Sequence, residues 1–169
     1  MQCHIIAMVS KRLSREAGHR RKFLAVIDDT PECERAVAYA ARRAKNTNGA
    51  LVMLFVIDNS DFQQILGVGE IMRQEAEERA RSTLEKFAAA VREAQGIEPE
   101  LIIREGNTND QLPSLIEEDQ DIAILVLAAG SGKEGPGPLV QSLAGRALFQ
   151  IPVTVVPAGL SNDDIDAVT

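Results

Sequence analysis

Two neighbouring carboxylates and one glycine-rich loop are the features of this sequence best suited to chemistry. Asp28 and Asp29 close the apolar run "KFLAVIDD". At the end of a buried strand such a pair could bind a cation or accept the hydroxyls of a ribose. The plain structural alternative is capping of the next helix in solvent. Later, "VLAAGSGKEGPGPLVQS" sets Gly130, Gly132, Gly135 and Gly137 between an apolar run and a helical pattern. The N–H groups of Gly130, Ser131, Gly132 and Lys133 could converge on a phosphate, with the Lys133 ammonium as counter-charge. Pro136 and Pro138 have no N–H to give, so a tight turn closed by "GPGP" explains the same residues. The loop is no P-loop, because Gly-x4-Gly-Lys-Ser/Thr is absent.

Other chemistries find little support. Both histidines, His4 and His19, lie at the N-terminal end, so the body holds no Ser–His–Asp or Cys–His set. No paired acid and base stands out, and no enzyme is expected; slow ATP hydrolysis would lack an identifiable base. Cys33 falls early in a helix, where the dipole favours thiolate. It also falls on the apolar face, where a thiol is an inert hydrophobe. A receiver-type acidic pocket around Asp28 and Asp29 would need an aspartate ending the third strand, where "LIIREGN" has Glu105 instead.

Five apolar segments alternate with helical patterns and position these residues. "KFLAVID", "ALVMLFVID", "PELIIRE", "IAILVLAA" and "PVTVVP" read as strands. Thr30-Pro31 reads as an N-cap and first helical position, with Cys33, Val37, Ala40, Ala41 and Ala44 on one helix face. A long amphipathic helix is predicted over 70–94 and a short one over 109–119. Pro138 opens another, with Leu139, Val140, Leu143, Ala144, Ala147 and Leu148 facing inward. Such alternation gives an α/β fold, a parallel sheet between two helical layers. Ligands of such sheets sit beyond the strand carboxyl ends, at a switch in strand order. That points to Asp28, Asp29, Thr30, Val56, Asp58, Glu105, Gly106, Ala129 and the loop that follows.

With 169 residues and 45% hydrophobic content the chain suits one domain. No apolar run approaches the about 20 residues of a membrane span. The net charge of −7 is uneven. Lys11, Arg12, Arg15, Arg20, Arg21 and Lys22 face only Glu16 in the N-terminal stretch, so the body is strongly acidic, which argues against nucleic-acid binding. Residues 1–21 are expected to be a basic, flexible extension dispensable for folding, and 158–169 an acidic, flexible tail. Cys3 and Cys33 make no disulfide or metal framework, which points to a reducing, cytoplasmic setting.

The chain resembles the universal stress protein family from about Lys22 to Pro157. The resemblance rests on "VIDDTPECERAV", "LFVID", "REGNTNDQL" and "IPVTVVP", in that order. It implies a three-layer α/β/α fold with a five-stranded sheet of order 3-2-1-4-5, a stress-response or regulatory role, and a homodimer. In one branch it implies an adenine nucleotide, ATP or AMP, with magnesium only alongside the nucleotide. Asp28 then matches the aspartate that meets the nucleoside, and Val56 the valine whose backbone contacts adenine. The phosphate motif of that branch, Gly-x2-Gly-x9-Gly-Ser/Thr, meets Ala129-x2-Gly132-x8-Gln141-Ser142 here, two glycines replaced and one residue missing. A register starting at Gly132 keeps the spacing but puts Arg146 in place of the hydroxyl and leaves little helix before Pro152. The first register is preferred, and it sets Ser142 in the second turn of the helix. In the implied order, Val153–Val156 form an edge without charge, open to pairing with a second copy. The alternative function is a dimeric interaction protein whose cleft takes no ATP.

Overall fold

The structure, a computed structural model, describes residues 10–60, 69–130, 132, 135–143 and 149–169. Its elements alternate strictly: β1 (Lys22–Ile27), α1 (Cys33–Asn46), β2 (Ala50–Ile57), α2 (Gly69–Gln95), β3 (Glu100–Glu105), α3 (Thr108–Glu118), β4 (Ile122–Ala129), α4 (Pro138–Leu143), β5 (Val153–Pro157) and α5 (Asn162–Val168). The five strands are all parallel, in the order β3-β2-β1-β4-β5. This is the three-layer architecture expected.

Side-chain alternation along β1 sorts the layers. Phe23, Ala25 and Ile27 face one layer, among Ala36, Val37, Ala40 and Ala44 of α1 and Leu84, Ala88 and Val91 of α2. Leu24 and Val26 face the other, among Leu112, Leu115 and Ile116 of α3, with Leu139 and Val140 of α4 packed alongside. The alanine face of α1 lets this helix lie close on the sheet. Ala144, Ala147 and Leu148, expected to continue α4 inward, lie outside the described residues.

Residues 10–21 and 158–169, within the stretches expected to be flexible extensions, contact the body of the domain, while residues 1–9 lie outside the described residues. Residues 10–21 lie against α3 and β4. The Arg12 guanidinium donates to the carbonyls of Ile116, Asp119 and Ile122, and its side chain is only 16% exposed. Leu13 N–H bonds Gln120 O at 3.0 Å, and Arg20 Nη2 donates to Gly49 O at 2.6 Å. An apolar pattern is absent here because the contacts are cation to carbonyl. The last carbonyls of α3 have no intrahelical partner and carry the negative end of the helix dipole.

Residues 158–169, expected to be loose, form α5. Ser161 and Asp164 make a reciprocal capping box. Ile165 is fully buried, which contributes about 1.5–3 kcal/mol. Arg35 donates to Leu160 O at 3.3 Å, Arg42 pairs with Asp166, and Arg43 donates to Thr169 O at 3.2 Å. The tail thus meets three arginines of α1, one through the Asp166 carboxylate and two through backbone carbonyls.

Removal of residues 1–21 is therefore expected to destabilise the domain. Charged-donor hydrogen bonds contribute about 1.5–3 kcal/mol each. A chain starting at Lys22, followed by thermal unfolding, should melt about 5 °C or more below the full chain, and Arg12→Ala alone should reproduce much of the drop. Coincident melting curves would contradict this.

Candidate functional site

The strand order creates the site. From β1 the chain steps outward to β2 and β3, then crosses back to β4 on the other side of β1. The helix after β1 covers one face and that after β4 covers the other. The carboxyl ends of β1 and β4 therefore part, and a crevice opens between them. A pocket of about 350 Å3 fills it. Its walls come from the ends of β1 (Val26, Asp28), β2 (Val56, Asp58) and β4 (Leu127, Ala128), the start of α3 (Asn107–Asn109), and Pro136–Val140.

A second, wider cleft of about 530 Å3 lies between the ends of β1 and β2 and helix α2. It is not at the switch point, and the arginine in its described lining, Arg79, is already paired. Asp29 pairs with Arg79 at 2.6 Å, and nearby Arg73 pairs with Glu105 at 3.3 Å. The two adjacent aspartates thus part company: Asp28 borders both clefts, whereas Asp29 lines only the second.

Asp28 and Asp58 end their strands in the same way. Asp28 Oδ1 accepts the Thr30 N–H at 2.9 Å and the Thr30 hydroxyl. Asp58 Oδ1 accepts the Ser60 N–H at 2.9 Å, and that bond holds its carboxyl below the usual range. Thr30 does not cap α1 as expected. The helix starts at Cys33 behind Glu32, with no side-chain cap; the first N–H groups go to the Thr30 and Glu32 carbonyls instead.

The glycine loop is folded on itself. Gly130 N–H points to Pro136 O at a long 3.4 Å, and Gly135 N–H bonds Gly132 O at 3.1 Å. A Cβ on Gly130 would lie 2.9 Å from Gly135 O and 3.8 Å from Glu32 Oε1, so the loop closes tightly beside a carboxylate. Gly135 and Gly137 have φ of 86° and 93°, which only glycine adopts without strain. Ser131 and Lys133 lie outside the described residues. Ala129 ends β4 opposite Pro157, and Ala128 reaches the pocket in its place. Ser142 sits within α4, where its hydroxyl donates to Leu139 O at 2.7 Å.

Three contributors escaped the sequence reading. Asn107 caps α3, accepting the Asn109 N–H at 2.8 Å, and with Thr108 it lines the pocket. An Asn before a helical run is the signal that would have found it. The approach of Glu32 to the Gly130 loop has no sequence signal, since it depends on how the loop folds.

The protein-family model described as the universal stress protein family matches residues 19–157. The chain belongs to the universal stress protein family. Solved structures agree on the fold. A universal stress protein from Lactobacillus plantarum superposes with a TM-score of 0.68 at 15% identity, over 80% of this chain and 97% of that one. One from Archaeoglobus fulgidus, in complex with dAMP, gives 0.58 at 16% identity over 80% and 97%. A family protein from Arabidopsis thaliana with AMP bound gives 0.56 at 19% identity over 81% and 91%. No curated protein sequence matches the chain. At these identities the structural likeness is one of fold, and this family member's pocket has to be judged on its own residues.

Cys33 borders this region in sequence but not in chemistry. It is 1% exposed. Burial pushes its thiol up to about 12, while the Asp28 backbone N–H pulls the other way and the Asp28 and Asp29 carboxylates add to the rise. The thiol therefore stays protonated through the neutral range. A maleimide reagent at pH 8 should label Cys33 only in denaturant; rapid labelling of the native Cys33→Ser-sensitive site would contradict its burial.

Proposed function

We propose that this universal stress protein is a cytoplasmic regulatory module that binds an adenine nucleotide weakly at the strand carboxyl ends, through Asp28 and Val56. The observation that carries this reading is the switch-point pocket, which gathers the ends of β1, β2 and β4 around those two residues. The Asp28 carboxylate meets the nucleoside and the Val56 backbone meets the base. The segment from Ala129 through Gly130, Ser131, Gly132 and Lys133 is the candidate phosphate side, and Ser142 is a minor participant. Magnesium enters only with nucleotide. The dAMP and AMP reported for relatives of this fold support the choice of ligand.

Binding rather than catalysis is the proposed role. Among the described residues the single histidine, His19, pairs with Asp121 at 2.7 Å beside the amino end of β4, and Cys33 is buried and protonated. Neither offers a base or nucleophile at the pocket.

Equilibrium titration with ATP, ADP and AMP, with and without magnesium, tests the reading. Asp28→Ala should cost about 1.5–3 kcal/mol of binding, roughly tenfold or more. Ser142→Ala should change affinity by less than about threefold, because its hydroxyl already serves Leu139 O. Larger loss from Ser142→Ala than from Asp28→Ala would refute the assignment.

A homodimer is the second part of the proposal. Among the described residues β5 pairs only with β4, and Val155 on this edge is 37% exposed. No charge blunts Val153–Val156. An antiparallel partner strand about a two-fold axis would satisfy the free ladder edge and cover Val155. This contact also suits the alternative reading, an interaction protein that takes no ATP. Val155→Lys should shift the sedimentation coefficient toward monomer with unchanged circular dichroism. A wild-type chain that stays monomeric at high micromolar concentration would remove the dimer.

A further inference from the structure

We infer that the switch-point pocket is selective for the nucleoside end of its ligand: adenosine first, its monophosphate next, and the triphosphate last. The inference rests on the nucleotide reading above and narrows its ligand class. Four observations converge on it.

The first is charge. Asp28 and Asp58 are the charged residues among the described lining of the pocket, and no lysine or arginine accompanies them. The Ser60 N–H favours the ionised form of Asp58, so its charge persists at neutral pH. A third carboxylate, Glu32, lies against the Gly130 loop. Arg104, opposite Val56 on the neighbouring strand, is engaged by Glu118, and Arg73 and Arg79, toward the α2 side, are engaged by Glu105 and Asp29.

The second is the loop's donors among the described residues, which do not include Ser131, Lys133 or Glu134. Gly130 turns its N–H to Pro136 O and Gly135 to Gly132 O. Pro136 and Pro138 have none. The Ser142 hydroxyl is given to Leu139 O.

The third concerns the helix start that faces the pocket. The α3 N-terminus is capped from within. Asn107 accepts the Asn109 N–H with its side chain, and the Asp110 and Gln111 N–H groups with its carbonyl, at 3.0 and 2.9 Å. Asp110 adds a carboxylate to that first turn. The partial positive charge that would welcome a phosphate is already answered.

The fourth is what the pocket does offer. Asp28 engages Thr30 through Oδ1 alone among the described residues, which leaves Oδ2 to accept from a hydroxyl. A ribose diol supplies such donors; a phosphate, an acceptor at neutral pH, does not. Val56, Leu127, Leu139 and Val140 supply apolar walls for a base.

Calorimetric titration of the full chain with adenosine, AMP and ATP, free of divalent cations, tests this. Adenosine should bind tightest and ATP at least about tenfold more weakly. The gap should narrow at high salt, where charge is screened, and in Asp58→Asn. ATP binding as tightly as adenosine would overturn the inference and leave the nucleotide reading standing. A gap that ignores both salt and Asp58→Asn would also overturn it, since charge would not be its source. Binding of none of the three would overturn both.

Discussion

The fold depends on β1 being enclosed on every side. It has parallel partners on both edges, β2 and β4, and helical layers on both faces. Such a strand tolerates no polar side chain, and "FLAVI" has none. Parallel neighbours each demand a crossover helix, and the two crossovers beside β1 cover opposite faces. The pocket is therefore a by-product of the topology. Its walls exist whether or not a ligand occupies it, and the side chains at the strand ends decide only what it will accept.

Charge does opposite work at the two ends of the sheet. At the amino end, opposite charges meet. Lys22 lies 2.9 Å from both Glu100 and Asp119. Burial opposes its charge, but the two carboxylates outweigh burial and raise its pKa. Arg12 and His19 tie residues 10–21 to α3 and β4. At the carboxyl end, Asp28 and Asp58 face the pocket without a cation among its described lining. Paired charges hold the chain together below; above, Asp29 and Glu105 are paired on the α2 side, and no cation among the described lining answers the pocket's own carboxylates.

Much of this was legible in the sequence because it was carried by apolar pattern. The strands, the alanine face of α1 and the place of Asp28 and Val56 at strand ends follow from period and order alone. What escaped was carried by polar atoms across long sequence separations. Arg12 reads as one more charge in a basic tail, yet it seals the end of α3 more than a hundred residues away. The acidic tail reads as solvated, yet Asp166 pairs with Arg42 and the tail's carbonyls take Arg35 and Arg43. Thr30 reads as a helix cap, yet α1 starts later, behind Glu32, and the Thr30 hydroxyl donates back to Asp28. In each case the composition was read correctly and the partner was missing.

Helix α5 runs alongside α1 in the same direction. Asn162 meets Arg35 near the start of α1, Asp166 meets Arg42, and Thr169 meets Arg43 in its last turn. Because α1 carries the chain from the pocket end back to the start of β2, Thr169 lies at the far end of the molecule from the pocket. Any group attached after Thr169 emerges beside the strand amino ends. A reporter or affinity tag fused there stands clear of the ligand entrance, and a recognition surface there would be spatially independent of whatever the pocket holds.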